Sequence, residues 1–235
     1  MNKLIVVSGG TKGIGRAIAE KFAQNGFDVV TCARNEQELV RLSEDFSEQF
    51  PNSHLWTFRA DLSNRTEVAG FIQFIHSLHR TVEVLVNNTG SFLPGQVHNE
   101  LEGTLETMMQ TNLYSAYHLT RGLIGGMMQQ KSGFIINICS TASIMAYTNG
   151  GSYCISKFAL LGMSKVLREE MKPFGIKVTS VLPGATLTNS WAGTDLPDSR
   201  FMQANDVAQI LFTCYTLSPS AVVEEILMRP QEGDI

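Results

Sequence analysis

The chain has 235 residues, 43% hydrophobic and 17% charged, enough for one sizeable core and read as a single domain over 1–235. A formal net charge of -4 argues against a nucleic-acid-binding surface, which would need clustered Lys and Arg. No apolar stretch reaches membrane-spanning length and the N-terminus lacks a signal-peptide pattern. The cysteines Cys32, Cys139, Cys154 and Cys214 have neither CxxC nor Cys/His spacing, so disulfides and structural zinc are not expected and a reducing cytoplasm is.

Residues 4–7 are a short aliphatic run, the pattern of a strand buried on both faces. Ser8-Gly9-Gly10-Thr11-Lys12-Gly13-Ile14-Gly15 follows at once, and 16–24 then reads as a helix with Ile14, Ile18 and Phe22 on one face and Gly26 just past its end. Strand, glycine turn and helix together give a glycine motif its meaning. Gly9, Gly13 and Gly15 let the backbone turn tightly and let a pyrophosphate approach the helix N-terminus, where free N–H groups favour anions. The spacing is GxxxGxG rather than GxGxxG, and a tight turn holding no ligand would use the same residues.

A second strand is expected over 29–33, with Arg34 just past it. In dinucleotide sites an acid at this place binds the ribose 2′-OH of NAD, whereas an Arg accepts the 2′-phosphate of NADP. No acid stands at the strand end here, and Lys12 in the glycine loop offers a second cation, so the pattern points to NADP(H); as an ordinary surface charge Arg34 would be equally at home. Residues 36–50 read as a helix stopped by Pro51, and 55–59 as a third strand. Asp61, followed by Leu62, could accept from an adenine amino group or cap the next helix, although Ser63 and Asn64 are nearer its start at 67–79. Val68, Phe71, Ile72 and Ile75 form that helix's apolar stripe; His76 and His79 have no third ligand in reach, so no metal site is expected.

The fourth strand, 82–86, ends in Asn87-Asn88-Thr89-Gly90, where paired amides can tie neighbouring strands and Gly90 allows close approach of a cofactor; these are also ordinary turn formers. Residues 101–128 read as one long helical region. Asn112 lies on its apolar face with Met108, Leu113 and Tyr117, and a buried amide must be bonded, whether at a kink or in a proton relay. The methionines at 108, 109, 127 and 128 read as core filler.

Ser140 ends the fifth strand, 133–139, on the side where open parallel sheets bind ligands. In the helix expected over 152–171, Tyr153 and Lys157 stand one turn apart on one face, and a fixed ammonium beside a phenol stabilises the phenolate and fits it for acid/base work. A sixth strand, 177–182, breaks at Pro183-Gly184. A loop over 186–200 carries Trp191 as packing anchor or pocket wall, and a helix over 205–216 and a strand over 221–227 finish the pattern. Strands alternate with helices throughout. The expectation is an α/β, doubly wound Rossmann-type fold of about seven parallel strands with helices on both faces.

Together these motifs resemble the short-chain dehydrogenase/reductase family over essentially the whole chain. Ser8 stands where the family usually has Thr, and Thr89 replaces the Ala of its Asn-Asn-Ala-Gly motif, placing extra atoms where the cofactor should pass. The family's catalytic Asn, Ser, Tyr and Lys match Asn112, Ser140, Tyr153 and Lys157. The resemblance implies an NADPH-dependent reduction of a ketone or aldehyde. Ser140 would polarise the carbonyl, Tyr153 give the proton, Lys157 also bind the nicotinamide ribose, and Asn112 hold a relay water. It implies NADP(H) contacts at Ser8, Gly9, Thr11, Lys12, Gly13, Ile14, Gly15, Arg34, Asp61, Leu62, Asn88, Gly90, Tyr153, Lys157, Pro183, Gly184, Thr186 and Thr188. Substrate contacts would come from Ser140, Tyr147, Tyr153 and Trp191, in a pocket also walled by Phe92, Met145 and Met202. Homodimers or homotetramers are implied too, with no nucleic-acid or membrane partner. The segment 153–158 and the tail 222–235 look like bacterial sepiapterin reductases. A 3-oxoacyl-[acyl-carrier-protein] reductase and a non-catalytic NADP(H)-binding regulatory module are the alternatives.

Overall fold

Successive side chains of the first strand, β1 (Lys3–Ser8), enter opposite cores, which is why its sequence is apolar without alternation. Ile5 and Val7 join one cluster with Ala17, Ile18 and Phe22 of helix α1 (Gly13–Gln24) and Val207 and Leu211 of helix α7 (Ala204–Thr216). Leu4 and Val6 join a second with Val68, Phe71 and Ile75 of helix α3 (Arg65–Ser77) and Leu119, Leu123 and Met127 of helix α5 (Ser115–Gln130). The computed structural model describes residues 1–235.

The remaining strands are β2 (Phe27–Ala33), β3 (Leu55–Arg59), β4 (Val82–Asn87), β5 (Gly133–Ile138), β6 (Ile176–Pro183) and β7 (Glu225–Met228). All pair in parallel, in the order β3-β2-β1-β4-β5-β6-β7. The remaining helices are α2 (Glu36–Gln49), α4 (Thr104–Met109) and α6 (Gly151–Met171). Strand order reverses between β1 and β4. Loops leaving these two strands diverge to opposite faces and open a crevice at their carboxyl ends, the usual ligand position in such sheets. No helix is long and apolar enough to cross a membrane.

Most elements lie within a residue or two of expectation, and two differ for identifiable reasons. The region expected as one helix over 101–128 begins only at Thr104 and is interrupted by a π turn, Gln110–Tyr114, around Asn112. That amide needs partners off the helix, and the extra residue in the turn aims it there. The last strand spans Glu225–Met228 rather than 221–227, because the hydroxyl of Thr179 on β6 bonds the carbonyl of Val223 and replaces ladder pairing there (2.6 Å). Asn64, not Asp61, caps α3, its side chain accepting from the Thr66 N–H at 2.9 Å. Gly26, at φ +79°, closes α1 as its position implied. Met108 and Met127 are fully buried, as filler would be.

Candidate active site

The glycine loop after β1 is shaped by two left-handed glycines, Gly9 (φ +70°) and Gly13 (φ +53°), a region that favours glycine. The loop is tied to the one after β4. Ser8 Oγ accepts from the N–H groups of Asn88 (2.9 Å) and Thr89 (3.0 Å), and Asn88 Nδ2 donates to the carbonyls of Ser8 (3.0 Å) and Gly9 (2.9 Å). Ser8 is buried and Gly15 packs behind the loop, so both shape the crevice without lining it, whereas Gly9, Thr11, Lys12, Gly13 and Ile14 face it. A Cβ added at Gly15 would collide with the Gly9 carbonyl and the Asn88 amide; one at Gly13 would lie 3.0 Å from Thr188 Cγ2. We therefore expect Gly15→Ala to lower thermal stability and weaken nucleotide binding together, checked by melting temperature and NADPH titration. Unchanged values for both would mean that the loop yields without cost.

At the far end of the cleft, Arg34 is exposed and makes no ion pair. Lys12, expected as a second cation for the nucleotide, is paired within the fold. Glu38, one turn into α2, reaches back to Lys12 Nζ (2.6 Å) and accepts from Thr11 Oγ1 (3.2 Å). The Lys12 ammonium holds the Glu38 carboxyl below the usual carboxylate range, with Thr11 adding to this against a burial effect. Lys12 is thus a compensated charge, and Arg34 is the cation left open. Asp61 faces the same end. Burial pushes its carboxyl up, but hydrogen bonds from Ser63 Oγ (2.7 Å) and N (3.0 Å), with Arg34 and Arg59 nearby, leave it below its ordinary value. Leu62 lines the wall beside it.

The other end carries Ser140, Tyr153 and Lys157. Ser140 caps a short turn, Thr141–Ser143, accepting from the Ala142 N–H (3.1 Å), which leaves its own hydroxyl proton free to donate. Tyr153 and Lys157 project from the first turns of α6. Lys157 is buried, donates to the Ile138 carbonyl (2.9 Å) and lies 5.8 Å from the centroid of the Tyr153 ring. Ser140, Tyr153, Lys157, Asn88, Gly90, Pro183, Gly184, Thr186 and Thr188 all line the same cleft as the glycine loop, a cavity of about 980 Å³. Asn112 does not reach the cleft. It is fully buried, its Oδ1 accepts from Ser91 N (2.8 Å), and its amide protons go to the Ser91 carbonyl (3.0 Å) and Ser156 Oγ (2.9 Å). A relay water on this side chain would have only a remaining acceptor lone pair to use. A Cβ at Gly90 would lie 3.2 Å from Asn112 Oδ1 and 3.4 Å from Lys157 Nζ, so this glycine lets the β4 loop settle onto both.

Phe92 meets the Tyr153 ring edge-on at 5.0 Å between centroids, and Met145 and Tyr147 line the wall nearby. Burial, with Tyr153 and Cys154 beside it, pushes the Tyr147 phenol up, so it remains a neutral donor. Trp191 both lines the cleft and packs on Phe201 at 5.1 Å, so anchor and wall are one residue. Met202 is corrected: it is buried, bridging the backbone of Thr186, and does not wall the pocket. Thr89 lines the cleft as its extra atoms implied. The tail folds back so that Asp234 and Ile235 line the cleft as well, Asp234 held by Arg229. Neither these two nor Glu38 was expected in the cleft, because all three arrive from segments that no spacing rule connects to the motif residues. No cluster of three or more His, Cys, Asp or Glu side chains stands together in a way that could hold a metal ion.

The family model for short chain dehydrogenases matches residues 3–197. The chain belongs to the short-chain dehydrogenase family. A sepiapterin reductase from Chlorobaculum tepidum is 31% identical over 243 residues, covering 100% of this chain and 99% of that protein. Among solved structures, a metagenomic short-chain oxidoreductase in complex with NADP is similar at a TM-score of 0.85 and 28% identity, covering 97% of both chains. L-sorbose reductase from Gluconobacter frateurii, complexed with NADPH and L-sorbose, has a TM-score of 0.88 and 25% identity, covering 97% of this chain and 95% of that one. In this short-chain dehydrogenase one continuous cleft runs from the glycine loop and Arg34 to Ser140, Tyr153 and Lys157.

Proposed function

We propose that this short-chain dehydrogenase reduces a ketone or aldehyde with NADPH. The observation that carries the reading is that Ser140, Tyr153 and Lys157 line one cleft with the glycine loop and Arg34. The loop suits a pyrophosphate, because α1 begins there without a side-chain cap and its glycines leave space that a Cβ would fill. Arg34 would take the 2′-phosphate and Asp61 the adenine amino group. The NADP-bound and NADPH-bound relatives support this assignment. NADPH, when bound, supplies the hydride.

The protein's own groups do the rest. Ser140 donates to the carbonyl oxygen and stabilises the charge that grows there. Tyr153 hands its proton to that oxygen, and the Lys157 ammonium stabilises the phenolate left behind. Lys157 can do so because the Ile138 carbonyl holds it in place. Asn112 holds the loop at Ser91 and, through Ser156 Oγ, which donates to the Tyr153 carbonyl (2.7 Å), the first turns of α6.

For the substrate, we favour sepiapterin, a diketone or another flat carbonyl compound. Phe92, Met145, Tyr147 and Trp191 give the cleft aromatic and apolar walls, and the sepiapterin reductase relative spans the full chain. The test is NADPH oxidation against sepiapterin, a diketone, an acetoacetyl thioester and an aromatic aldehyde, each repeated with NADH. Turnover of sepiapterin or the diketone with NADPH alone is expected. Preference for the thioester would instead place the chain with acyl-carrier-protein reductases, and tight NADPH binding with no turnover of any of the four would leave an untested substrate or the binding module. The enzyme is proposed to work as a homodimer or homotetramer, since Tyr117 on α5 and Ile155, Phe158 and Val166 on α6 stay exposed in one copy. Sedimentation as a monomer at micromolar concentration would refute that.

A further inference from the structure

Helix α6, which carries Tyr153 and Lys157, has no cap of its own. Gly150 stands at its N-cap and makes no side-chain hydrogen bond. The first N–H groups of a helix need partners, and a carboxylate there also meets the positive end of the helix dipole. Glu100, fifty-two positions upstream of Ser152, supplies that carboxylate: Oε1 accepts from the Ser152 N–H at 2.8 Å and Oε2 from the Ser152 hydroxyl. Ser152 is 2% exposed and immediately precedes Tyr153.

The surroundings are built for this carboxylate. A Cβ at Gly95 would lie 2.6 Å from Glu100 Cγ, and one at Gly151 would overlap Glu100 Oε1, so glycine on both sides makes room for it. The strap that leads to Glu100 is fastened to the same helix end. Gly95 bridges Gly150 and donates to the Asn149 carbonyl (3.0 Å), and Gln96 donates to Asn149 Oδ1 (3.0 Å). Three residues before Gly95, Phe92 touches the Tyr153 ring edge-on. One segment therefore holds the proton donor twice, by its ring and by the helix turn from which it projects.

We propose that Glu100 is a positioning residue for Tyr153, acting through its paired hydrogen bonds to Ser152. This rests on the reading of Tyr153 as proton donor. Loss of the carboxylate lets the first turn of α6 fray and misplaces the phenol relative to the substrate carbonyl, while the nucleotide end of the cleft is untouched. Misplacement of a reacting group by about an ångström can cost up to about a hundredfold in rate.

The test compares Glu100→Ala, Glu100→Gln and Tyr153→Phe in the intact enzyme, with NADPH and whichever carbonyl compound is turned over. The expected result for Glu100→Ala is a fall in kcat of about tenfold, with NADPH Kd and melting temperature close to the parent values. Glu100→Gln, which can still accept from the Ser152 N–H, restores most of that rate. Parent-like kcat in Glu100→Ala overturns the proposal. So does a loss of rate matched by loss of NADPH binding and melting temperature, because that is a fold-wide effect. Glu100→Gln as slow as Glu100→Ala also overturns it, since the hydrogen bond would then not be the cause. If Tyr153→Phe keeps its rate, the proton-donor reading fails by itself, whatever the Glu100 variants do.

Discussion

Replacing Tyr153 with phenylalanine is expected to lower turnover by about 10²–10⁴-fold, the range that a positioned general acid contributes. The substitution removes one oxygen and leaves the ring, so the edge-on contact with Phe92 at 5.0 Å and the first turns of α6 should stay as they are. Lys157 keeps its bond to the Ile138 carbonyl, and Ser140 keeps its place at the end of β5. What is lost is the proton that the reduced oxygen must receive. NADPH binding, followed by fluorescence titration, should change little, so the defect appears in kcat and not in the nucleotide Kd. A variant that turns over at near the parent rate would remove Tyr153 from the reaction as its proton donor.

The second large effect is expected at the other end of the cleft. Arg34→Asp should weaken NADPH binding about 10–100-fold, the scale of one hydrogen bond to a charged group worth about 1.5–3 kcal/mol, while NADH binding changes much less. Lys12 is a poor substitute cation, because its ammonium is held 2.6 Å from Glu38. Arg34, which makes no ion pair, would be the cation facing a 2′-phosphate, and an aspartate there would add repulsion to the missing bond. Titrations with both nucleotides at two salt concentrations decide the matter. The preference should shrink as salt screens the exposed charge, and equal losses for NADPH and NADH would refute the 2′-phosphate role.

Much of this chain could be read without coordinates because its signals are local. A strand buried on both faces must be apolar at every position, as β1 is, and a helix must turn its stripe inward, as Val68, Phe71 and Ile75 do. The spacing of Tyr153 and Lys157 puts them on one helical face whatever surrounds them. The glycine run announces itself because backbone at positive φ tolerates few other residues, and Gly9 and Gly13 are at positive φ.

Other features were beyond reach because they depend on which segments meet. Glu38 looks like one of several acids on an amphipathic helix until the turn of α2 against the glycine loop brings it to Lys12. Glu100 lies in irregular chain with no pattern of its own, and its target is a backbone N–H, which no sequence motif records. That the Asn112 amide must be bonded follows from its apolar helix face, but that its partners are Ser91 and Ser156, and that a π turn aims it, follows only from the packing of α6 beside the β4 loop. Asp234 reaches the cleft through the return of the tail past Gly184. The sequence by itself determined the strand and helix order, the glycine turn and the Tyr–Lys pair, since each depends on neighbours along the chain. Tertiary structure alone decided which charges are compensated and what holds α6 at its start, since hydrogen bonds and ion pairs form between whichever groups the fold brings within about 3 Å.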